Sequence, residues 1–392
     1  MNYPHYICVD GETTGATNGT YGNPFTDGNR LCYIGVGNSN GARGHPVDVR
    51  GLPFGAVLQA VDTQIRSGNP IFVGFNIKFD LHWLRRYGVI LPSRALVWDC
   101  QLAEFIISNQ ETPLPSLEDT IEKYKLGEKY TLIEDEYWNK GIDTDKIPPE
   151  IVLKRVESDV MLTSTLFEMQ MDYLKGNPQL RNLIWASCQD QRVLAEMEWN
   201  GLKYDVELSK ELGDGIIQEQ EEIKKRLLRM VPIPQVNWNS GDQLSIILYG
   251  GTLSFDVQEE YVFTYKSGLT KTKTRWAKQM IPMPRRVDPI QGSDLKKDGF
   301  WSTDDTNLSK LKPKDKDTKT IIDLVLTNRK LAKKVGTYYH GIPKLYKEMG
   351  WTNNILHGNL QSAVTATGRL SSTKPNQQNM DHTIRQCIVS RF

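Results

Sequence analysis

The chain of 392 residues has almost no net charge: 48 lysines and arginines stand against 47 aspartates and glutamates, a balance of +1. Overall charge therefore announces no polyanionic partner, and any basic surface must come from local segregation. Cysteine is scarce. Cys8, Cys32, Cys100, Cys188 and Cys387 are odd in number, and no two of them form a Cys-x-x-Cys pair. That argues against zinc ribbons and disulfide frameworks and for a reducing, cytoplasmic compartment. No apolar run approaches the length of a membrane span, so no membrane partner is expected. The N-terminus runs straight into a strand-like segment, which predicts no signal peptide. The length suits two or three domains, each with its own core.

Against this plain background, four carboxylates at three places stand out. The first place is Cys8-Val9-Asp10-Gly11-Glu12-Thr13-Thr14-Gly15, the second Gly74-Phe75-Asn76-Ile77-Lys78-Phe79-Asp80, and the third Val156-Glu157-Ser158-Asp159. Tyr6 to Val9 read as a buried strand ending at Asp10. Residues two apart in a strand share a face, so Asp10 and Glu12 project together. Ile71 to Phe75 read as a second buried strand, with Asn76 as helix cap and Asp80 on the first helical turn. Residues 151–169 carry Ile151, Val152, Val156, Val160 and Leu166 near helical spacing, with Asp159 on that helix. Each carboxylate alone reads equally well as a solvated group or a cap. Together, Asp10, Glu12, Asp80 and Asp159 point to a two-metal phosphodiesterase. Hard divalent cations want carboxylate oxygens, and two of them generate the hydroxide and stabilise the leaving oxygen.

These motifs resemble the proofreading 3′–5′ exonuclease domain of family A DNA polymerases, the group of bacterial DNA polymerase I and many phage replicases. The resemblance implies an α/β, ribonuclease-H-like domain with a mixed sheet over residues 1–185. It implies two Mg²⁺ or Mn²⁺ ions, with Asp10 bridging them, Glu12 and Asp159 completing one site and Asp80 supporting the other. It places Asn76 against a single-stranded 3′ end. In one respect the chain departs from the family. The third motif there is Tyr-x-x-x-Asp, and here Arg155 stands four residues before Asp159. The tyrosine orients the attacking water. An arginine can hydrogen-bond a phosphate oxygen but cannot accept a proton. Arg155 reads either as such a catalytic-site contact or as a surface arginine on an amphipathic helix. All four carboxylates remain, so activity is expected to be retained.

Elsewhere in the first 185 residues, a helix is predicted over 55–67. Another runs from Trp98-Asp99-Cys100 to Ile107, and a third opens at Ser116-Leu117-Glu118-Asp119 on capping grounds. The periodicity changes near residue 185. Val193, Met197, Leu208, Leu212, Ile216, Ile223 and Leu227 predict long amphipathic helices, separated by a turn at residues 199–205. Glu196 to Gly201, and Asn237 to Ser240 with Gln243-Leu244, resemble the family's thumb, which implies a mainly helical thumb over 186–350. Ser240 suits a helix cap, and Trp301-Ser302-Thr303-Asp304 opens another thumb-like element. Leu324, Leu331, Val335 and Tyr338 continue the helical spacing, with Arg329 on another face. Residues 257–297 differ: Tyr261 to Tyr265 and Thr270 to Met280 predict a hairpin around Ser267-Gly268. Lys266, Lys271, Lys273, Arg275, Lys278, Arg285 and Arg286 make it basic, which suits phosphate contacts.

Thr365-Ala366-Thr367-Gly368-Arg369-Leu370-Ser371-Ser372, followed by Pro375-Asn376-Gln377-Gln378-Asn379, resembles the family's entrance to the palm. It reads as a strand-like segment. Thr367 and Ser371 suit phosphates, while Arg369, Asn376, Gln378 and Asn379 suit the acceptors that every base pair shows in the minor groove. Arg329, Lys271, Lys273 and Arg275 join them as expected contacts to primer–template DNA. Residues 384–392 resemble a strand leading into the palm, so 351–392 is expected to be an incomplete palm segment. The polymerase metal ligands and the fingers lie beyond position 392 in the family. The expectation is therefore a proofreading and DNA-gripping part of a split, phage-type polymerase, with a second polypeptide carrying the rest of palm and fingers. A nucleic-acid-binding or processivity subunit with a weakened nuclease, and a fragment of a full-length polymerase, are the alternatives.

Overall fold

The computed structural model describes residues 5–38, 45–51, 70–92, 94–293, 295 and 299–391. The helix predicted over 55–67 lies outside the described residues. The chain divides into two compact units, one of Met1–Val206 with Ile342–Phe392, the other of Glu207–Gly341.

The first unit is built on β1 (Tyr6–Thr13), β2 (Leu31–Asn38), β3 (His45–Asp48), β4 (Ile71–Gly74), α1 (Ile77–Arg86) and β5 (Leu96–Asp99). The five strands form one mixed sheet in the order β3-β2-β1-β4-β5. β1 pairs antiparallel with β2, and β2 with β3, while β1–β4 and β4–β5 are parallel. Both faces are covered, so the strands are apolar on both sides. Ile7, Val9 and Phe72 pack with Ile77, Leu81 and Leu84 of α1. Tyr6, Cys8, Ile71 and Val73 turn to the opposite face. There they meet α2 (Cys100–Ile107), α3 (Leu117–Tyr124) and, beyond the short α4 (Leu132–Glu136), the long α5 (Pro149–Tyr173). The strand period of two sends Asp10 and Glu12 to this second face, the face of α5.

Helix starts follow the predicted chemistry. Asp99 caps α2, accepting hydrogen bonds from the N–H groups of Gln101 and Leu102, and Ser116 caps α3 through the N–H of Asp119. Asn76 does stand at the N-cap position of α1, but in a left-handed conformation and with no side-chain cap bond. Its N–H donates instead to Asp99 Oδ1 at 3.0 Å. On α5 the buried stripe is Val152, Arg155, Val156, Asp159, Val160, Thr163, Leu166 and Phe167, steps of three and four. Gly35 of β2 makes the close approach of this helix possible. A Cβ there would lie 2.4 Å from Val156 Cγ1 and 2.7 Å from Val160 Cγ2.

α6 (Pro178–Asn200) runs unbroken through residue 185. It is tied to α1 by a buried polar knot. Glu198 accepts from Lys78 Nζ at 2.5 Å and from the Leu360 N–H at 2.5 Å, and meets His82 Nε2 at 2.7 Å. Burial alone would raise the Glu198 pKa, but the His82 bond and the Lys78 charge hold it below the usual range. Replacing Glu198 by Ala strands a buried ammonium. A loss of about 3–5 kcal/mol of stability is expected, measured by denaturant unfolding. A change near zero would mean that the knot contributes nothing.

Three segments differ from expectation. Residues 199–205 are not only a turn: Leu202–Tyr204 is a strand that pairs antiparallel with Ile355–Leu356 and with Ile388–Val389. The segment from Thr365 is not a continuous strand. Asn359–Gln361 and Ser371–Thr373 pair as a small hairpin, and Thr365 to Gly368 form a turn in the loop between them. Nor do residues 384–391 make one strand. Asp381 accepts from the N–H groups of Thr383 and Ile384, which starts a short helix His382–Arg385, and only Ile388–Val389 is extended. Capping chemistry overrides the β-branched residues here.

The second unit is mainly helical, with Val206–Met230, Gly241–Tyr249, Asp305–Lys310 and Lys316–Lys334. Ser240, Asp304 and Asp315 cap the last three. Ile223, Leu227, Leu244, Ile247, Leu248, Leu308, Ile321 and Val325 form its core. The strands Gly251–Thr264 and Thr270–Met283 pair in register as one long hairpin, with Gly268 at φ 83° in the turn.

Candidate metal centre

In the second half of β1, which runs on past the expected end at Asp10 to Thr13, carboxylate oxygens of Asp10 and Glu12 lie with one of Asp159, all within 4.8 Å of one another. β1 supplies the first two and α5 the third. Asp80 belongs beside them rather than among the three. Its Oδ1 comes within 3.4 Å of the position a Cβ on Gly11 would take, and the charge of Asp10 acts on it. Asp10, Asp80 and Asp159 are strained as anions. Burial, then Asp159 and Glu12, push Asp10 well above the usual carboxylate range. Burial and then Asp10 push Asp80 up as well. Burial raises Asp159 to about 6 even though the Arg155 charge opposes it.

Arg155 is not a surface residue. Its side chain is 7% exposed, and Nε donates to Glu12 Oε1 at 2.5 Å. Nη1 reaches Glu134 Oε2 at 2.6 Å and the Tyr130 carbonyl at 3.2 Å, and Nε lies 3.8 Å from Asp159 Oδ2. Its guanidinium also covers the ring of Trp138, 5.0 Å from the centroid. Burial alone would lower the arginine pKa, but Glu12, Asp159 and Glu134 together raise it. Glu134, on the five-residue α4, carries no motif that sequence reasoning could use. The same holds for Asp143, which accepts from the N–H groups of Gly15 and Ala16 and fixes the loop after β1.

The donor set fits a hard divalent cation. Asp10 Oδ2 and Asp159 Oδ1 are sealed from solvent and accept no hydrogen bond. Orphaned anionic oxygens cost stability unless a cation meets them. The sign of the pH dependence follows. A carboxyl whose pKa is raised on folding makes the native state bind more protons than the unfolded one. Without metal, stability should therefore fall as pH rises from about 4, the free carboxyl value, through about 6, the value for Asp159. Mg²⁺ should shrink that fall, and Asp159→Asn should do so without metal. Calorimetry at pH 5 and pH 7, in EDTA and in Mg²⁺, reads this; equal pH dependence in all cases would argue against a cation site.

The expected nucleic-acid residues are distributed differently. Asn76 lines a cavity of about 280 Å³ together with Phe79, Gln101, His357 and Gln361. Thr367, Arg369, Asn376, Gln378 and Asn379 are exposed and Ser371 is half-buried, all on the segment around the small hairpin. In the other unit, Lys271 and Arg275 are exposed and Lys273 half-buried on the long hairpin. Arg329 is committed within its own unit, donating to the Thr303 carbonyl at 2.5 Å and to Asp305 at 3.2 Å. No described helix is long and apolar enough to cross a membrane.

Known proteins resemble this chain. Residues 284–391 match DNA polymerase family A. The chain is 27% identical over 356 residues to DNA polymerase I of Chloroflexus aurantiacus, covering 89% of this chain and 32% of that protein. It is 29% identical over 320 residues to DNA polymerase I of Synechocystis, covering 80% and 27%. The structure of the POL domain of Pol1 from M. smegmatis, in complex with DNA primer-template and dNTP, is similar with a TM-score of 0.64. That match, at 16% identity, covers 99% of this chain and 54% of the other. Over most of its length the chain is thus similar to bacterial DNA polymerase I, and residues 284–391 match the family A polymerase model. It spans about a third of the length of those curated relatives.

Proposed function

We propose that this chain supplies the 3′–5′ proofreading exonuclease and the primer–template grip of a family A DNA polymerase. The observation that carries the reading is the convergence of Asp10, Glu12 and Asp159, with Asp80 alongside, on the second half of the buried strand β1. The order β3-β2-β1-β4-β5 with its mixed directions supports a ribonuclease-H-like domain. Two Mg²⁺ or Mn²⁺ ions held by these carboxylates would supply an activated hydroxide and stabilise the leaving 3′ oxygen. Asp10 would be shared by both ions, with Glu12 and Asp159 completing one site and Asp80 supporting the other. Asn76 and Phe79, on the first turn of α1, line the cavity that would take the single-stranded 3′ end. Arg155 holds Glu12 in place through its ion pair.

Duplex binding is assigned to the exposed Thr367, Arg369, Asn376, Gln378 and Asn379, with Ser371, and to the basic hairpin. Phosphate contacts make such binding steeply salt-dependent. Synthesis needs palm carboxylates that these 392 residues do not contain in the resemblance, so residues 1–392 alone should add no nucleotides. One observation favours a second reading, a DNA-binding subunit with a weakened nuclease: a carboxylate needed for metal is already ion-paired to Arg155. Single-stranded DNA labelled at its 5′ end separates the two. With Mg²⁺, a ladder shortening from the 3′ end supports the nuclease, and unchanged DNA supports the binding subunit.

A further inference from the structure

We propose that the tip of the long hairpin, residues 261–274, is a binding site for single-stranded nucleic acid. It stacks unpaired bases on Tyr261, Phe263 and Tyr265 and meets phosphates with Lys266, Lys271 and Lys273. The inference deepens the nucleic-acid reading of this hairpin and rests on it, but it names a different ligand from duplex.

The hairpin is built in two parts. Near its base, Leu253 and Phe255 are buried in the core of their unit, with Val257 and Ile281 packed on it. From residue 258 to residue 276 no side chain is buried. Fourteen residues per strand span on the order of 45 Å, so the outer part is a free ribbon. A two-stranded ribbon in water gains little stability for itself, and its composition has to be explained by what it meets.

Charge is segregated along it. The carboxylates Asp256, Glu259 and Glu260 all lie towards the base, and residues 261–274 contain three lysines and no acid. Arg275, which borders the tip, is already paired with Glu259 at 2.5 Å. Opposed residues in an antiparallel pair share a face, and the register is Tyr261↔Lys273 and Phe263↔Lys271. One face of the tip therefore alternates rings and ammonium groups. Lys273 Nζ lies 3.6 Å from the Phe263 ring centroid and 5.5 Å from that of Tyr265. Phe263 and Tyr265 meet edge to face at 5.0 Å. The tip's other face carries Thr264, Thr270, Thr272 and Thr274, hydroxyls that also suit phosphates.

This chemistry selects its ligand. A cationic surface without carboxylates wants a polyanion, and exposed rings between the cations want planar groups on that polyanion. Single-stranded nucleic acid offers both, a phosphate and a π-face per residue. Phe263 and Tyr265, with ring centroids 5.0 Å apart and planes nearly perpendicular, do not present parallel faces. That geometry does not match bases stacked in parallel at about 3.4 Å in a duplex and suits bases that have come apart.

The test is fluorescence anisotropy of the full chain in EDTA, with labelled dT20 and with a blunt 20-base-pair duplex as probes. Phe263→Ser with Tyr265→Ser removes the rings, and Lys271→Ser with Lys273→Ser removes the charges. Both pairs sit on the exposed ribbon, and unchanged thermal unfolding confirms the fold. The ring variant should lose about 10-fold or more affinity for dT20, the effect of losing base stacking, with duplex binding unchanged. The lysine variant should flatten the slope of log affinity against log salt by about 1.4, two single-strand phosphate contacts. Wild-type affinity for dT20 in the ring variant, or an equal loss on duplex, overturns the proposal. Hydrolysis of a trinucleotide in Mg²⁺ reports the metal centre separately: a wild-type rate in the ring variant is expected. A trinucleotide left intact by every protein would sink the nuclease reading while the anisotropy result stands.

Discussion

Asp10→Ala combined with Glu12→Ala is expected to abolish DNA hydrolysis and leave the fold intact. The two residues supply one strand's worth of ligands to the acidic cluster, while Asp159 and Asp80 come from separate helices. Loss of the β1 ligands removes electrostatic stabilisation of several kcal/mol from the transition state, about 10³-fold or more in rate. The fold should tolerate the change. Asp10 is raised by burial and by its acidic neighbours, so its charge opposes folding, and Arg155 keeps Glu134 as a partner after Glu12 is gone. Hydrolysis of single-stranded DNA in Mg²⁺ and thermal unfolding in EDTA are the two readouts. A wild-type rate in the double variant would remove the cluster from the chemistry.

Arg155→Tyr is expected to raise the hydrolysis rate by about 10²-fold, the usual worth of positioning a proton acceptor at the reacting water. Arg155 engages one oxygen of Glu12 and brings a fixed positive charge within 3.8 Å of Asp159. Both effects compete with a divalent cation. The Mg²⁺ concentration for half-maximal rate should therefore fall in the variant as well. The exchange has a cost, because Glu134 loses its buried partner and metal-free stability should drop. An unchanged or lower rate, with unchanged Mg²⁺ dependence, would assign Arg155 a phosphate role of its own.

Much of the site could be read from local chemistry. The apolar run before Asp10, the period of two that aligns Glu12 with it, and the caps at Asp99 and Ser116 are all decided within a few residues. The position of Arg155 is legible from the helix face too. If Asp159 faces the sheet, the residue four before it does so as well, and a surface position is ruled out. What stayed hidden depends on distant pairing. Glu134 lies on a helix of five residues with no pattern of its own. The knot of Lys78, His82 and Glu198 joins positions more than a hundred residues apart. The short strand Leu202–Tyr204 exists because Ile355–Leu356 and Ile388–Val389 flank it, and residues 384–391 could not all be strand once Asp381 capped a turn.

The central claim is that Asp10, Glu12 and Asp159, with Asp80 beside them, hold divalent metal. Crystals of the chain soaked in Mn²⁺ and measured for anomalous scattering test it most directly. The account predicts a peak among Asp10, Glu12 and Asp159, with a second towards Asp80. Anomalous peaks elsewhere in the crystal and none at this cluster, with Arg155 still bound to Glu12, would contradict it.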